Sequence, residues 1–207
     1  MKRMIAIVVL YAGILSMAVQ AMDHNKPLMR DDKFYKEYWE QHLLFDDGTF
    51  LTSQFLVANF PWPVGKDHGV MVSTLVTSDG ERTIIKNGRD LGEWGFDPEQ
   101  LDIFIQTHRL KNEVSQHIVQ LRADEKSEVT ITGGAQVPAL AHNRYEHKDE
   151  FMESAFYLPF FQGEGDWQIT EQKDSKAKKG RGNVQGFATH VIMNSPVNDL
   201  MESWLRV

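Results

Sequence analysis

Residues Tyr38 to Asn59 read YWEQHLLFDDGTFLTSQFLVAN, two arms rich in aromatic, Leu, Val and Thr residues around Asp46-Asp47-Gly48. Asp and Gly tolerate the positive φ angles that tight hairpin turns require, so the stretch predicts a long β-hairpin. Its alternation is impure. In the second arm Phe50, Leu56 and Ala58 share a face with Thr52 and Gln54, while Leu51, Phe55 and Val57 share the other with Ser53 and Asn59. Neither face is simply dry or simply wet. A barrel or strongly curved sheet around an amphiphilic cavity accommodates that pattern better than a sandwich with one sealed face.

The same punctuation continues downstream. Phe60-Pro61-Trp62-Pro63-Val64-Gly65 interrupts pairing, because neither proline can donate to a ladder. Val70 to Thr77 and Arg82 to Asn87 read as strands turned by Ser78-Asp79-Gly80. Asp97-Pro98-Glu99-Gln100 reads as a short turn, and Leu101 to His108 pairs with Ser115 to Arg122 around Lys111-Asn112. Val129 to Thr132 ends at Gly133-Gly134, and Ala155 to Phe161 is joined to Asp166 to Thr170 by Gln162-Gly163-Glu164-Gly165. Asn183 to Met193 is the last strand. The basic run Lys173 to Arg181 reads as a solvated loop, and helical periodicity appears only weakly, at Asp31 to Glu40. Short strands at about 8–12-residue spacing with Gly-rich turns predict an all-β, antiparallel architecture.

Upstream of the hairpin, Lys2 and Arg3 precede an apolar stretch from Met4 to Ala18 and the small-residue site Val19-Gln20-Ala21. This predicts a secretory signal over 1–21, cleaved after Ala21, with an uncleaved anchor as the alternative. A polar lead-in over 22–37 and a single barrel domain over 38–207 complete the expected organisation. The expected location is the bacterial periplasm, with no stable membrane insertion once the signal is removed. The chain has no cysteine, so neither disulfides nor a soft metal site is available. Loss of Lys2 and Arg3 takes the formal charge from −7 to −9, which argues against nucleic acid and anionic surfaces as partners.

Sites of known pattern are missing: no Gly-rich phosphate loop, no H-E-x-x-H and no G-x-S-x-G. His142 and His147 flank Glu146 and His68 adjoins Asp67, but no H-x-H places two imidazoles on one strand face, so neither a metal nor another cofactor is expected. The aromatics carry more. Trp39, Trp62 and Trp94 can fill a core or line an apolar pocket that Gln54, Asn59 and Tyr145 would orient. A carboxyl or imidazole buried in such a pocket would favour its neutral form and could protonate an apolar substrate. His190, Asp102 and His42 are the candidates.

Trp39, Asp47, Gly48, Gln54 and Asn59 together form a pattern that resembles the opening of the lipocalin-like family grouping carotenoid hydratases, attH-type bacterial proteins and fungal survival-factor lipocalins. Gly186-Phe187-Ala188-Thr189-His190, followed by Pro196 and Trp204-Leu205-Arg206, resembles a later segment of the same family, and Gly92-Glu93-Trp94 matches in pattern. The resemblance implies a lipocalin-like barrel corresponding to the first of two. It therefore also implies a second barrel or a second copy as a partner, since an edge at Leu205 to Val207 would be open. The expected function is holding or carrying an apolar small molecule, a lipid or isoprenoid. The alternatives are a hydratase-, isomerase- or cyclase-type enzyme and an envelope interaction module.

Overall fold

A computed structural model of the chain describes residues 26–59, 66–89, 92–113, 116–124, 127–140, 143–170 and 177–195. The signal-like segment 1–21, Trp62, His142 and the stretch from Pro196 to Val207 lie outside them. The two arms of the quoted hairpin are β1 (Lys36–Phe45) and β2 (Phe50–Ala58), paired from Lys36↔Ala58 to Leu44↔Phe50. Gly48 makes the turn with φ of 87°, its N–H donates to Phe45 O at 3.0 Å, and Thr49 N–H donates to Asp47 Oδ1 at 2.7 Å. The Asp-Asp-Gly reading therefore holds.

Ten further strands follow: β3 (His68–Val76), β4 (Arg82–Arg89), β5 (Trp94–Phe96), β6 (Asp102–Ile105), β7 (His108–Glu113), β8 (Gln116–Asp124), β9 (Ser127–Ala135), β10 (Asn143–His147), β11 (Glu150–Thr170) and β12 (Ala177–Met193). They form one antiparallel sheet in the order β4-β3-β2-β1-β12-β11-β9-β8-β7-β6-β5, with β10 added beside β11. Neighbours in sequence are mostly neighbours in space. The exceptions are β9 on β11 and, far longer in range, β1 on β12, which from Lys36↔Met193 to Phe45↔Val184 joins the first described strand to the last.

The sheet curls so that its two outer strands approach each other. Met71, Leu75 and Ile85 from one end share a single buried cluster with Trp94, Ile103 and Ile105 from the other. Side chains bridge the two ends of the sheet: Trp94 Nε1 on β5 donates to Asp67 O just before β3 at 2.8 Å, and Asn87 Nδ2 on β4 donates to Gln106 Oε1 in the β6–β7 turn at 2.7 Å. The expected all-β, strongly curved antiparallel sheet is the observed one.

Several details differ from expectation, each for a local reason. The weak helical pattern at Asp31 to Glu40 gives way to strand, because Glu37, Trp39, Gln41, Leu43 and Phe45 alternate strictly into the buried face. The lead-in therefore ends at Tyr35. Lys111-Asn112 lies within β7 rather than in a turn. The reversal comes earlier, at Gln106-Thr107, where Gln106 takes φ of 51° and Ile105 pairs with His108. Gly163 and Gly165 sit inside the long β11, since a Cβ at Gly163 would lie 2.3 Å from Thr132 O on the adjacent β9. Gly133 and Gly134 likewise belong to β9. The described part of the basic run opens β12, where Lys178 pairs with Asp79 at 3.0 Å and with Glu81.

The buried register of β11 shifts between Phe156 and Phe161. Pro159 falls in that interval and offers no N–H to the ladder, which accounts for an irregularity there. As a result, consecutive residues Tyr157 and Leu158 are both buried. Tyr157 keeps the parity of Phe151, Ala155 and Phe161, and Leu158 is the residue that the shift adds to the buried face.

Candidate functional site

The inner face of the sheet is apolar with a polar row running through it. On β1, Glu37, Trp39 and Gln41 point inward in succession and are all fully buried. Glu37 is saturated with donors: Leu28 N–H at 2.9 Å, Met29 N–H at 3.3 Å and the Tyr35 hydroxyl at 2.5 Å all reach Oε2. His190 Nε2 lies 2.8 Å from Oε1. His190 is also stacked on Trp39, with centroids 4.7 Å apart and planes within 10°. A carboxylate is tolerated at zero exposure only when it is paired and bonded in this way. Burial, together with the adjacent Glu37 carboxylate, pushes the Tyr35 hydroxyl well above its ordinary pKa, so it stays a donor. The group holds residues 28–35 across one end of the sheet.

A second polar group crosses the interior. Ser53 Oγ–H donates to Gln41 Oε1 at 2.5 Å, and Gln41 Nε2 donates to the Tyr157 oxygen at 3.1 Å. Tyr157 O lies 3.5 Å from His117 Nε2. The His117 ring also meets Tyr157 and Phe161 edge-on, at 5.6 and 6.1 Å. Its Nδ1 is buried with no hydrogen-bond partner among the described residues. Desolvation pushes the His117 pKa down to about 3, so the ring is neutral at physiological pH. Burial likewise raises the Tyr157 pKa. A third interior imidazole, His108, accepts Arg122 N–H at Nδ1 over 3.1 Å.

The residues expected from sequence are only partly brought together. Trp39 and His190 lie in the interior and touch. Trp94 is buried at the seam. Asn59 is buried too, but it is committed: Nδ2 donates to Arg30 O and Asp32 O, both at 2.9 Å, and Oδ1 accepts Asp67 N–H at 3.1 Å. Gln54 faces outward between Glu40 and Val72 because its parity is opposite to that of Ser53. Tyr145 is 53 % exposed on β10. Asp102 shares the outer face with Phe104 and forms a two-bond pair with Arg109 at 2.8 and 2.6 Å. His42 also lies outside, stacked on Phe187 at 4.7 Å. An interior acid-base role for Asp102 and His42 is therefore not supported by their positions. Trp62 lies outside the described residues.

Glu37, Gln41, Ser53, Tyr157 and His117 escape the sequence reading. All of them carried a usable signal: Glu37 and Gln41 share parity with Trp39 and Leu43, Ser53 with Phe55, His117 with Val119, and Tyr157 with Ala155 and Phe161. Among the described residues no three His, Asp or Glu side chains converge as a metal site would require, and no helix is long and apolar enough to cross a membrane.

An AttH-like protein of Nitrosomonas europaea superposes with a TM-score of 0.51 at 13 % identity, over 79 % of this chain and 51 % of that one. The protein CghA superposes at 0.48 and 11 % identity, and its complex with Sch210972 at 0.46 and 12 %. In both, 81 % of this chain and 51 % of theirs are covered. No family model and no curated protein matches the sequence. The likeness to the AttH-like structure shows the fold: a lipocalin-like curled sheet, spanning about half the length of the structures it matches.

His117 ties stability to pH. Unfolded, it titrates near 6.5; folded, it stays neutral down to about 3. The unfolded chain therefore binds the extra proton between those values, and its contribution, complete above about 6.5, is lost as pH falls. Denaturant titrations from pH 7 to 4 should show the wild type losing up to about 1.4 kcal/mol more per pH unit than His117→Phe. Parallel pH profiles would place His117 in a solvated setting.

Proposed function

We propose that this protein is a lipocalin-like carrier that holds an apolar small molecule, of lipid or isoprenoid class, within the curl of its sheet. The observation that supports it is the polar row buried in the apolar inner face, ending at an unsatisfied His117 nitrogen. A core built only for stability gains nothing from an orphaned donor or acceptor, which costs about 1–3 kcal/mol. A binding site gains a point of orientation. Export to the periplasm belongs to the same proposal and rests on Lys2, Arg3 and the apolar stretch that follows them. So does a second barrel or second copy as partner. Leu44, Phe50, Phe156 and Phe187 are partly exposed on the outer face around the β1–β12 pair, and such an apolar patch is better covered than wet.

An enzymatic reading, proton transfer to an apolar substrate, is favoured by the Glu37–His190 pair alone. If the bound molecule is converted by the protein, His190→Gln should slow that conversion by about 100-fold or more. An unchanged rate would remove the pair from the chemistry.

Native mass spectrometry of the protein as purified from its producing cell, with organic extraction of the same sample, tests the carrier reading. The expected result is a discrete apolar mass that co-purifies and is released by solvent, with the same spectra reporting the oligomeric state. An empty protein that also takes up no added apolar compound would contradict the proposal.

A further inference from the structure

The interior hydrogen bonds have a direction, and the direction says what the bound molecule must offer. The Ser53–Gln41 separation of 2.5 Å suits O–H···O, and the Gln41–Tyr157 separation of 3.1 Å suits N–H···O. The Gln41 carbonyl faces Ser53 and its amide faces Tyr157. The Tyr157 oxygen then accepts from Gln41, and its own proton is left to point at His117 Nε2, 3.5 Å away. A neutral imidazole whose Nε2 accepts carries its hydrogen on Nδ1. The chain Ser53 to Gln41 to Tyr157 to His117 thus ends in a buried N–H with no acceptor among the described residues.

We propose that His117 Nδ1–H is the polar anchor of the interior site, and that its ligand is an apolar molecule bearing a neutral acceptor oxygen, a ketone, ester or ether. The inference rests on the carrier reading above and specifies it. Charge decides between acceptor types. Desolvation keeps His117 uncharged, and its ring neighbours Tyr157 and Phe161 carry no charge. A carboxylate placed there would be buried without a counter-ion, which is far costlier than burying a carbonyl. The interior carboxylate of Glu37 already has its own donors and cannot neutralise a second anion.

The test uses the full chain and three probes: 2-undecanone, 2-methyl-1-undecene, in which =CH2 replaces =O, and undecanoate at pH 8. Binding is read by quenching of tryptophan fluorescence. The ketone should bind roughly fivefold to tenfold tighter than the alkene. His117→Phe should abolish that preference, and undecanoate should bind no tighter than the ketone. Independently, ¹⁵N NMR of histidine-labelled protein should show His117 as the Nδ1–H tautomer. Equal ketone and alkene affinities, or an Nε2–H tautomer, would overturn the anchor and leave the carrier reading standing. Tighter binding of undecanoate would overturn the neutral-acceptor assignment. Failure of every probe to bind would overturn both. The tautomer and the ketone–alkene comparison are read on the unaltered chain, so the test survives a variant that does not fold.

Discussion

The pairing of β1 with β12 is the constraint on which the rest of the molecule depends. It joins strands at opposite ends of the described chain over Lys36↔Met193 to Phe45↔Val184. Without it, β1–β4 and β5–β12 would be two open sheets, each with an apolar face exposed. Its individual backbone bonds contribute only about 0.5–1.5 kcal/mol each. The larger gain is the burial it permits: Trp39, Leu43 and Phe45 become inaccessible once both flanking strands are in place. The same register sets Trp39 directly opposite His190, which is why the two rings stack and why His190 reaches Glu37. Because this contact is so distant in sequence, closing it is a slow event in folding.

Within the closed sheet two polar groups solve the same problem differently. Glu37 is surrounded by donors, so its charge is accommodated and serves to fasten the segment that precedes β1. His117 instead remains neutral and leaves one nitrogen without a partner among the described residues. Against a total stability of about 5–15 kcal/mol, an orphaned buried group is a noticeable loss. Thr49 Oγ1 and Trp167 Nε1 are also buried without a partner among the described residues, but His117 differs in ending a chain of interior side-chain hydrogen bonds, which is the ground for proposing a ligand group there.

The fold was legible because its signals are local. Asp46-Asp47-Gly48 and Ser78-Asp79-Gly80 state their turns in residues that tolerate positive φ, and both occur where expected. Gln106-Thr107 turns just as sharply without such residues, so it passed for strand. Gly163 misled in the opposite direction: its bare backbone serves close approach to β9, not a bend. The site was less legible. Gln54, Tyr145, Asp102 and His42 were credible by residue type but lie on the outer face or edge, where type alone cannot place them. Glu37 and Gln41 were readable by parity with Trp39. Tyr157 was readable in the same way, by parity with Ala155 and Phe161, whereas Leu158 was not, because the shift around Pro159 sets which side it faces.

A crystal structure of the protein grown with 2-undecanone would test the central claim most directly. The account predicts density for the chain of the ketone within the curl of the sheet, with its oxygen about 2.7–3.2 Å from His117 Nδ1. Ketone bound only on the outer face around Phe50 and Phe187, or an interior closed over the polar row with none bound, would contradict it.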